Sequence, residues 1–341
     1  MRKCFLHIGT HKTGTTAIQI QLNNSRARLA ERGFLYPKTG VPMPFAGHHN
    51  IAWELCGDRR FKPELGTIDD LFSEIDKSDQ NVILSSEDFE CAVDNLGSFV
   101  AGLEQRGFEV DVVIYFRDQV SYLRTLYLGL TSHQQYPRTY AEYLSEVLEF
   151  RAIRWHEWVY MLDYRALLSR LPPAARIVAR PFRPQSSVVG DFVSILGLTP
   201  SDLNMDPNFR ANAQEPISLA VAGFYRSRTG RNVRKYYKQT MQEISRTFDN
   251  SKVDLGIASK RRLIDAFAGS NRWMNERYQI PMPAGPDGEI VGPAPASRSW
   301  LDLEAVFSDA TLGLIDTLCA AESRRSWSIF FNPRRWLPGW K

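Results

Sequence analysis

The first thirty residues constrain this chain more than any other stretch. Cys4-Phe5-Leu6-His7-Ile8 is a short, mainly apolar run, the pattern of a strand covered on both faces. It passes directly into Gly9-Thr10-His11-Lys12-Thr13-Gly14-Thr15-Thr16. From Ala17 to Arg32, the apolar residues Ile18, Leu22 and Leu29, with Ala27 and Ala30 between them, recur at helical spacing, and Gly33 ends the pattern. A Gly/Thr-rich loop between a buried strand and a helix suits an oxyanion. Its backbone N–H groups are close together, and the helix N-terminus adds positive potential. The spacing from Gly9 to Gly14 is that of a phosphate loop, G-x-x-x-x-G, but Thr15 stands where a nucleoside-triphosphate site has lysine. The loop's lysine is Lys12, upstream of the second glycine. A lysine after that glycine spans the β- and γ-phosphates, and the next Ser/Thr holds Mg²⁺. Lys12 instead predicts a single 5′-phosphate with one leaving oxygen, and no metal is required.

Three further apolar runs read as buried strands: Val82 to Leu84, Val110 to Phe116 and Arg176 to Arg180. Helical patterns separate them, which predicts a three-layer α/β fold with a mostly parallel central sheet. From about residue 187 the chain reads as helical, over 187–197, 215–228, 233–247, 258–277 and 300–322. The expected organisation is an α/β domain over 1–280, a Pro/Gly-rich loop over 281–298, a C-terminal helix over 299–323 and a basic, aromatic tail over 324–341. That tail holds Arg324, Arg325, Arg334, Arg335 and Lys341, three tryptophans and no acid. It suits either a peripheral membrane contact or docking of its aromatics on the body. The whole chain has 42 Lys+Arg against 38 Asp+Glu, a net charge of +4, which argues against a dedicated nucleic-acid binder. Cys4, Cys56, Cys91 and Cys319 form no CxxC pair, which argues against a zinc or redox site and fits a reducing cytoplasm.

The stretch HIGTHKTGTT resembles the 5′-phosphosulfate loop of the sulfotransferases that use 3′-phosphoadenosine-5′-phosphosulfate (PAPS), specifically their bacterial branch. His11 stands where the family pattern has proline, and Ala17 where cytosolic members often carry tryptophan. A second element supports the first. The family holds the donor's 3′-phosphate with an arginine at the end of a strand and a serine eight residues on. Here VVIYFRDQVSYLRTLY offers Arg117 and Thr125 at that spacing, with Ser121 as a second hydroxyl one turn earlier. Looser similarity runs through SSEDFE (85–90), LDYRALLSRL (162–171), RPFRPQSSVVGDFVSILGL (180–198) and SNRWMNERY (270–278).

The resemblance implies a P-loop-like fold and transfer of a sulfuryl group from PAPS to an acceptor hydroxyl or amine. The acceptor would be a glycan, a lipid-linked sugar or a small alcohol, and adenosine 3′,5′-bisphosphate would leave. His11, Lys12, Thr13, Gly14, Thr15, Thr16, Arg117 and Thr125 would bind the donor, with Lys12 stabilising the leaving phosphate. Glu87, after the second of the predicted strands, is the first candidate for general base. His49, read as lying on a loop within Gly47-His48-His49-Asn50, is the second. Two other readings stay open. One is a P-loop kinase or NTPase. The other is a non-catalytic module that binds polyanions or membranes through 324–341 and the basic run Arg226 to Lys238. Arg154 to Tyr160 reads as helix core, or as aromatics that stack on sugar rings.

Overall fold

The computed structural model describes residues 1–183, 185–211, 216–249, 252–284 and 300–330. These fall into two compact units: 1–122, 146–211 and 262–284 in the first, 123–145, 216–261 and 300–330 in the second. Most of the Pro/Gly-rich stretch, and the tail beyond Phe330, lie outside the described residues.

The first unit is built on a five-stranded, all-parallel sheet. Its strands are β1 (Arg2–His7), β2 (Phe34–Leu35), β3 (Asn81–Ser85), β4 (Phe108–Phe116) and a last strand, Arg176–Pro181. They lie in the order β2-β3-β1-β4-last, with Phe5 paired to Ile83 on one side and to Asp111 on the other. Each strand has an apolar core on both faces. Cys4, Leu6, Val112 and Ile114 join one core, and Phe5, Ile83, Val113 and Tyr115 join the other. This alternation is what a strand with period two requires when neither face meets water. The helices α1 (Thr15–Asn24) and α2 (Arg26–Glu31) cover the second face. The helices α3 (His49–Cys56), α4 (Ile68–Ile75) and α5 (Leu96–Gln105) cover the first. Local signals set the starts: Thr67 and Asp70 form a capping box at α4.

β1 sends its chain toward the β2 side of the sheet, and β4 sends its chain toward the opposite edge. Their carboxyl ends therefore flank a topological switch point, where open parallel sheets bind ligands. The loop at 9–14 follows β1, and Arg117 follows β4.

Residues 154–160 are not helical. Ala152–Trp155 and Trp158–Met161 pair antiparallel as strands β5 and β6, with Trp155 opposite Trp158. His156 takes a left-handed φ of 55° in the two-residue turn. The last strand of the main sheet is β7 in chain order. It is preceded by the helix Tyr164–Ser169 and followed by the helix Val188–Ile195.

Two helical readings in the second unit are also corrected. The pattern over 233–247 breaks into Val233–Tyr236 and Lys238–Phe248. Tyr237 leaves helical geometry because Glu322 accepts the amides of Gln239 and Thr240 and starts a new helix there. Residues 300–322 open with a strand, Trp300–Asp302, paired parallel with Lys252–Asp254. Asp302 then caps a short helix before the long one, Asp309–Phe330. Tyr127, Tyr136, Tyr140, Tyr143 and Phe307 form this unit's aromatic core, with Tyr127 edge-on to Tyr140 and Phe307. Among the described residues no helix is long and apolar enough to cross a membrane.

Candidate anion site at the carboxyl ends of the parallel strands

The loop begins as a continuation of β1. Ile8 N donates to Val113 O, Thr10 N to Tyr115 O, and Tyr115 N to Gly9 O at 2.7 Å. Thr13 Oγ1 then donates to Thr10 O at 2.5 Å and closes the turn. Lys12 (φ 60°) and Gly14 (φ 81°) both adopt left-handed conformations. For a lysine that conformation costs about 1–2 kcal/mol. Alternating helical hand is also what gathers successive N–H groups into an anion-holding concavity. The amides of Lys12, Thr13, Gly14, Thr15 and Thr16 have no acceptor among the described residues. Two glycines allow the close approaches here. A Cβ on Gly9 would lie 3.3 Å from Glu87 Cα, and one on Gly14 would lie 2.9 Å from Val188 Cγ1.

Arg117 is half-buried. Its NH1 donates to Lys12 O at 3.3 Å, and its Nε donates to Ser121 Oγ at 2.8 Å. The strand-end arginine and the phosphate-type loop are therefore adjacent. Asp118 takes the capping role instead, accepting from Ser121 N at 2.9 Å. Of the two hydroxyl candidates for the 3′-phosphate, Ser121 touches Arg117. Thr125 lies eight residues on from Arg117, in the second unit.

The side chain of His11 turns inward from the loop. Its ring is buried, Nδ1 donates to Glu90 Oε2 at 2.9 Å, Nε2 donates to Asp88 Oδ1 at 3.2 Å, and its backbone N–H also donates to Glu90. Burial alone would lower its pKa, but the bonds and charges of Asp88 and Glu90 outweigh that and raise it to about 10. His11 is thus a fixed imidazolium, committed to acids, one residue before Lys12. Trp158 and Tyr160 of the hairpin pack against its ring.

Around it lies a buried charge network. Asp88 Oδ2 accepts from Trp53 Nε1 at 2.6 Å and lies 3.4 Å from His49 Nδ1 and 3.7 Å from Arg60 NH2. Arg60 also pairs with Asp58 and stacks over Trp53 and Trp158, whose indole N–H donates to Asp58 at 2.7 Å. Burial pushes the Asp88 carboxyl up, but the two histidines pull it well below the usual carboxylate range.

Glu87 opens the 3₁₀ turn Glu87–Asn95. Its Oε2 accepts from the buried Gln19 Nε2 at 2.7 Å. Burial raises its pKa, but the charges of His49 and His11 outweigh that, so it is held below the ordinary glutamate value and stays ionised. His49 lies on the first turn of α3 rather than on a loop, with Nδ1 at 2.9 Å from Ser86 Oγ. Burial lowers its pKa, yet the bond to Asp88 and the charges of Glu87 and Asp88 outweigh that and leave it raised above the ordinary histidine value. His48 is structural. Ser85 N donates to its Nδ1, which leaves Nε2 to donate to Pro37 O, and burial followed by the Arg26 charge lowers its pKa to about 3.

Asp58, Arg60, Trp53, Asp88 and Glu90 are the members of this constellation that the sequence reading missed as functional. One signal was present: three acids, Glu87, Asp88 and Glu90, within four positions directly after a buried strand. Among the described residues no group of three or more His, Cys, Asp or Glu is arranged to hold a metal ion. No protein-family model, curated protein or solved structure matches the chain.

Proposed function

We propose that this chain is a sulfotransferase that moves the sulfuryl group of PAPS to an acceptor hydroxyl or amine on a P-loop-like scaffold. The observation that carries the reading is the contact of the Arg117 guanidinium with Lys12 O at the switch point. A donor with phosphate at two places needs cationic or N–H groups at two neighbouring positions. The loop amides and Lys12 form one, and Arg117 with Ser121 forms the other.

The loop amides and the exposed Lys12 ammonium would stabilise the charge that develops on the leaving 5′-phosphate. Arg117 would orient the 3′-phosphate. Glu87, ionised and packed against Gly9, would take the proton as the acceptor oxygen forms its bond to sulfur. The bond from sulfur to the bridging oxygen then breaks, and adenosine 3′,5′-bisphosphate departs. Gln19 fixes the Glu87 carboxylate, and His49 and His11 supply the positive field that keeps it charged. Glu87 is favoured over His49 as base because its carboxylate is held ionised directly beside Gly9 of the loop.

Transfer of labelled sulfate from PAPS to a panel of glycans, lipid-linked sugars and small alcohols tests the reading. Glu87→Gln should lower turnover by roughly 10²–10⁴-fold while leaving bisphosphate binding intact. Loss of that size in His49→Gln with Glu87→Gln nearly unaffected would move the base to His49. Mg²⁺-dependent ATP hydrolysis with no sulfate transfer would overturn the proposal in favour of an NTPase.

A further inference from the structure

The cations from Arg228 to Lys238 divide into two groups in the second unit. Arg228 and Arg231 are neutralised within that unit, Arg228 by Asp309 at 3.2 Å and Arg231 by Asp316 at 2.8 Å, beside the Tyr225 hydroxyl. Arg234 and Lys238 have no acidic partner among the described residues, and Lys235 lies over the Tyr236 ring at 5.0 Å. These three cations and Arg246 line a cleft of about 690 Å³. That volume falls within the roughly 300–1,000 Å³ of small-ligand sites.

The cleft has a fixed wall. Glu322 reaches across from the helix Asp309–Phe330 and accepts Gln239 N at 3.1 Å, Thr240 N at 2.8 Å and Thr240 Oγ1 at 2.8 Å. It thereby ties the start of the helix Lys238–Phe248 to its neighbour, while Ile244 and Phe248 of that helix are buried. Its outward face offers Gln242 and Ser245 to the cleft. Tyr236 is 65% exposed at the rim, unusual for so large a ring.

We infer that this cleft binds an acidic oligosaccharide, with Arg234, Lys235 and Lys238 holding its carboxylates or sulfates and Tyr236 stacking on a sugar ring. Three features select that class. The amide and hydroxyl of Gln242 and Ser245 match sugar hydroxyls as well as charges. A bilayer would require several exposed apolar side chains, and among the described residues the cleft is lined by one large exposed ring, Tyr236, with Met241 half-buried beside it. A nucleic-acid strand would require successive stacking aromatics, and a single ring provides one platform. The inference uses residues of the second unit alone and does not depend on the sulfotransferase reading.

The test is equilibrium binding of the full chain to labelled oligogalacturonate at low salt. Neutral dextran of equal length, phosphatidylglycerol vesicles and a single-stranded oligonucleotide are the comparison probes. Oligogalacturonate should bind and dextran should not. Three exposed ion contacts, each contributing about threefold, predict a loss of about 30-fold in the combined Arg234→Gln, Lys235→Gln, Lys238→Gln variant. The charge-reversed counterpart with Glu at the three positions should show a larger loss in the same direction. Tyr236→Ala should weaken binding a further few-fold. Bisphosphate binding by the same variants should be unchanged, so failure here leaves the donor-site reading intact, and the converse holds. Absence of oligogalacturonate binding would overturn the inference. So would binding that survives the triple change, or tighter binding of vesicles or oligonucleotide that the triple change abolishes.

Discussion

At the carboxyl end of the first unit's sheet, His11, His49 and Arg60 are held against Asp58, Asp88, Glu87 and Glu90 in mostly buried contacts. In the second unit's cleft, Arg234, Lys235 and Lys238 stand at the surface with no acid answering them among the described residues. The first arrangement fixes geometry, because a buried charge that loses its partner is costly to the fold. The second leaves charge available to something outside the chain and contributes little to folding. The two sets of charges thus differ in burial and pairing rather than in residue type.

The largest effect expected from this contrast is in His11→Ala. Removing the imidazolium takes from the buried Glu90 the cation that holds it and leaves Asp88 with His49 and Arg60 alone, and should cost roughly 3–5 kcal/mol in denaturant unfolding. Next is Trp53→Phe, which removes the N–H held by the Asp88 carboxylate and should cost roughly 1.5–3 kcal/mol. A loss under about 0.5 kcal/mol in both would mean that the network does not hold the site.

The pH profile of stability sharpens the same point. His11 has its pKa raised to about 10, above the ordinary 6.5. Its contribution is complete below 6.5 and disappears as pH rises through about 10. His7 and His48 are buried neutral, with values lowered to about 4 and about 3. Their contribution is present above 6.5 and is lost as pH falls through those values. The urea midpoint should therefore be highest near pH 6.5 and fall on both sides. A midpoint flat from pH 5 to 9 would contradict the assignment of His11 as a fixed cation. The smallest effect is in Lys235→Glu, whose stability should stay within about 0.5 kcal/mol of the parent.

What the sequence revealed follows from how local each signal is. The strand, loop and helix at residues 2–24 lie within one contiguous stretch, and the apolar runs of β3, β4 and β7 needed no partner to be recognised. Arg117 at the exit of β4 was equally legible from its neighbours. The buried network was not, because Asp58, Arg60, Asp88 and Trp158 are brought together by α3, the end of β3 and a hairpin far along the chain. The hairpin itself was misread because Trp155, His156, Glu157 and Trp158 carry no turn glycine, and His156 adopts the left-handed conformation without one. The setting of the His11 ring was hidden for a related reason. Its position in the loop was visible, but the two acids that claim its ring lie 77 and 79 residues away.

Titration calorimetry with adenosine 3′,5′-bisphosphate tests the two-position grip most directly. The parent protein should bind, and Lys12→Ala and Arg117→Ala should each weaken binding by roughly 2–5 kcal/mol without altering the unfolding transition. No heat of binding from the folded parent at millimolar bisphosphate, or full affinity retained in Arg117→Ala, would contradict it.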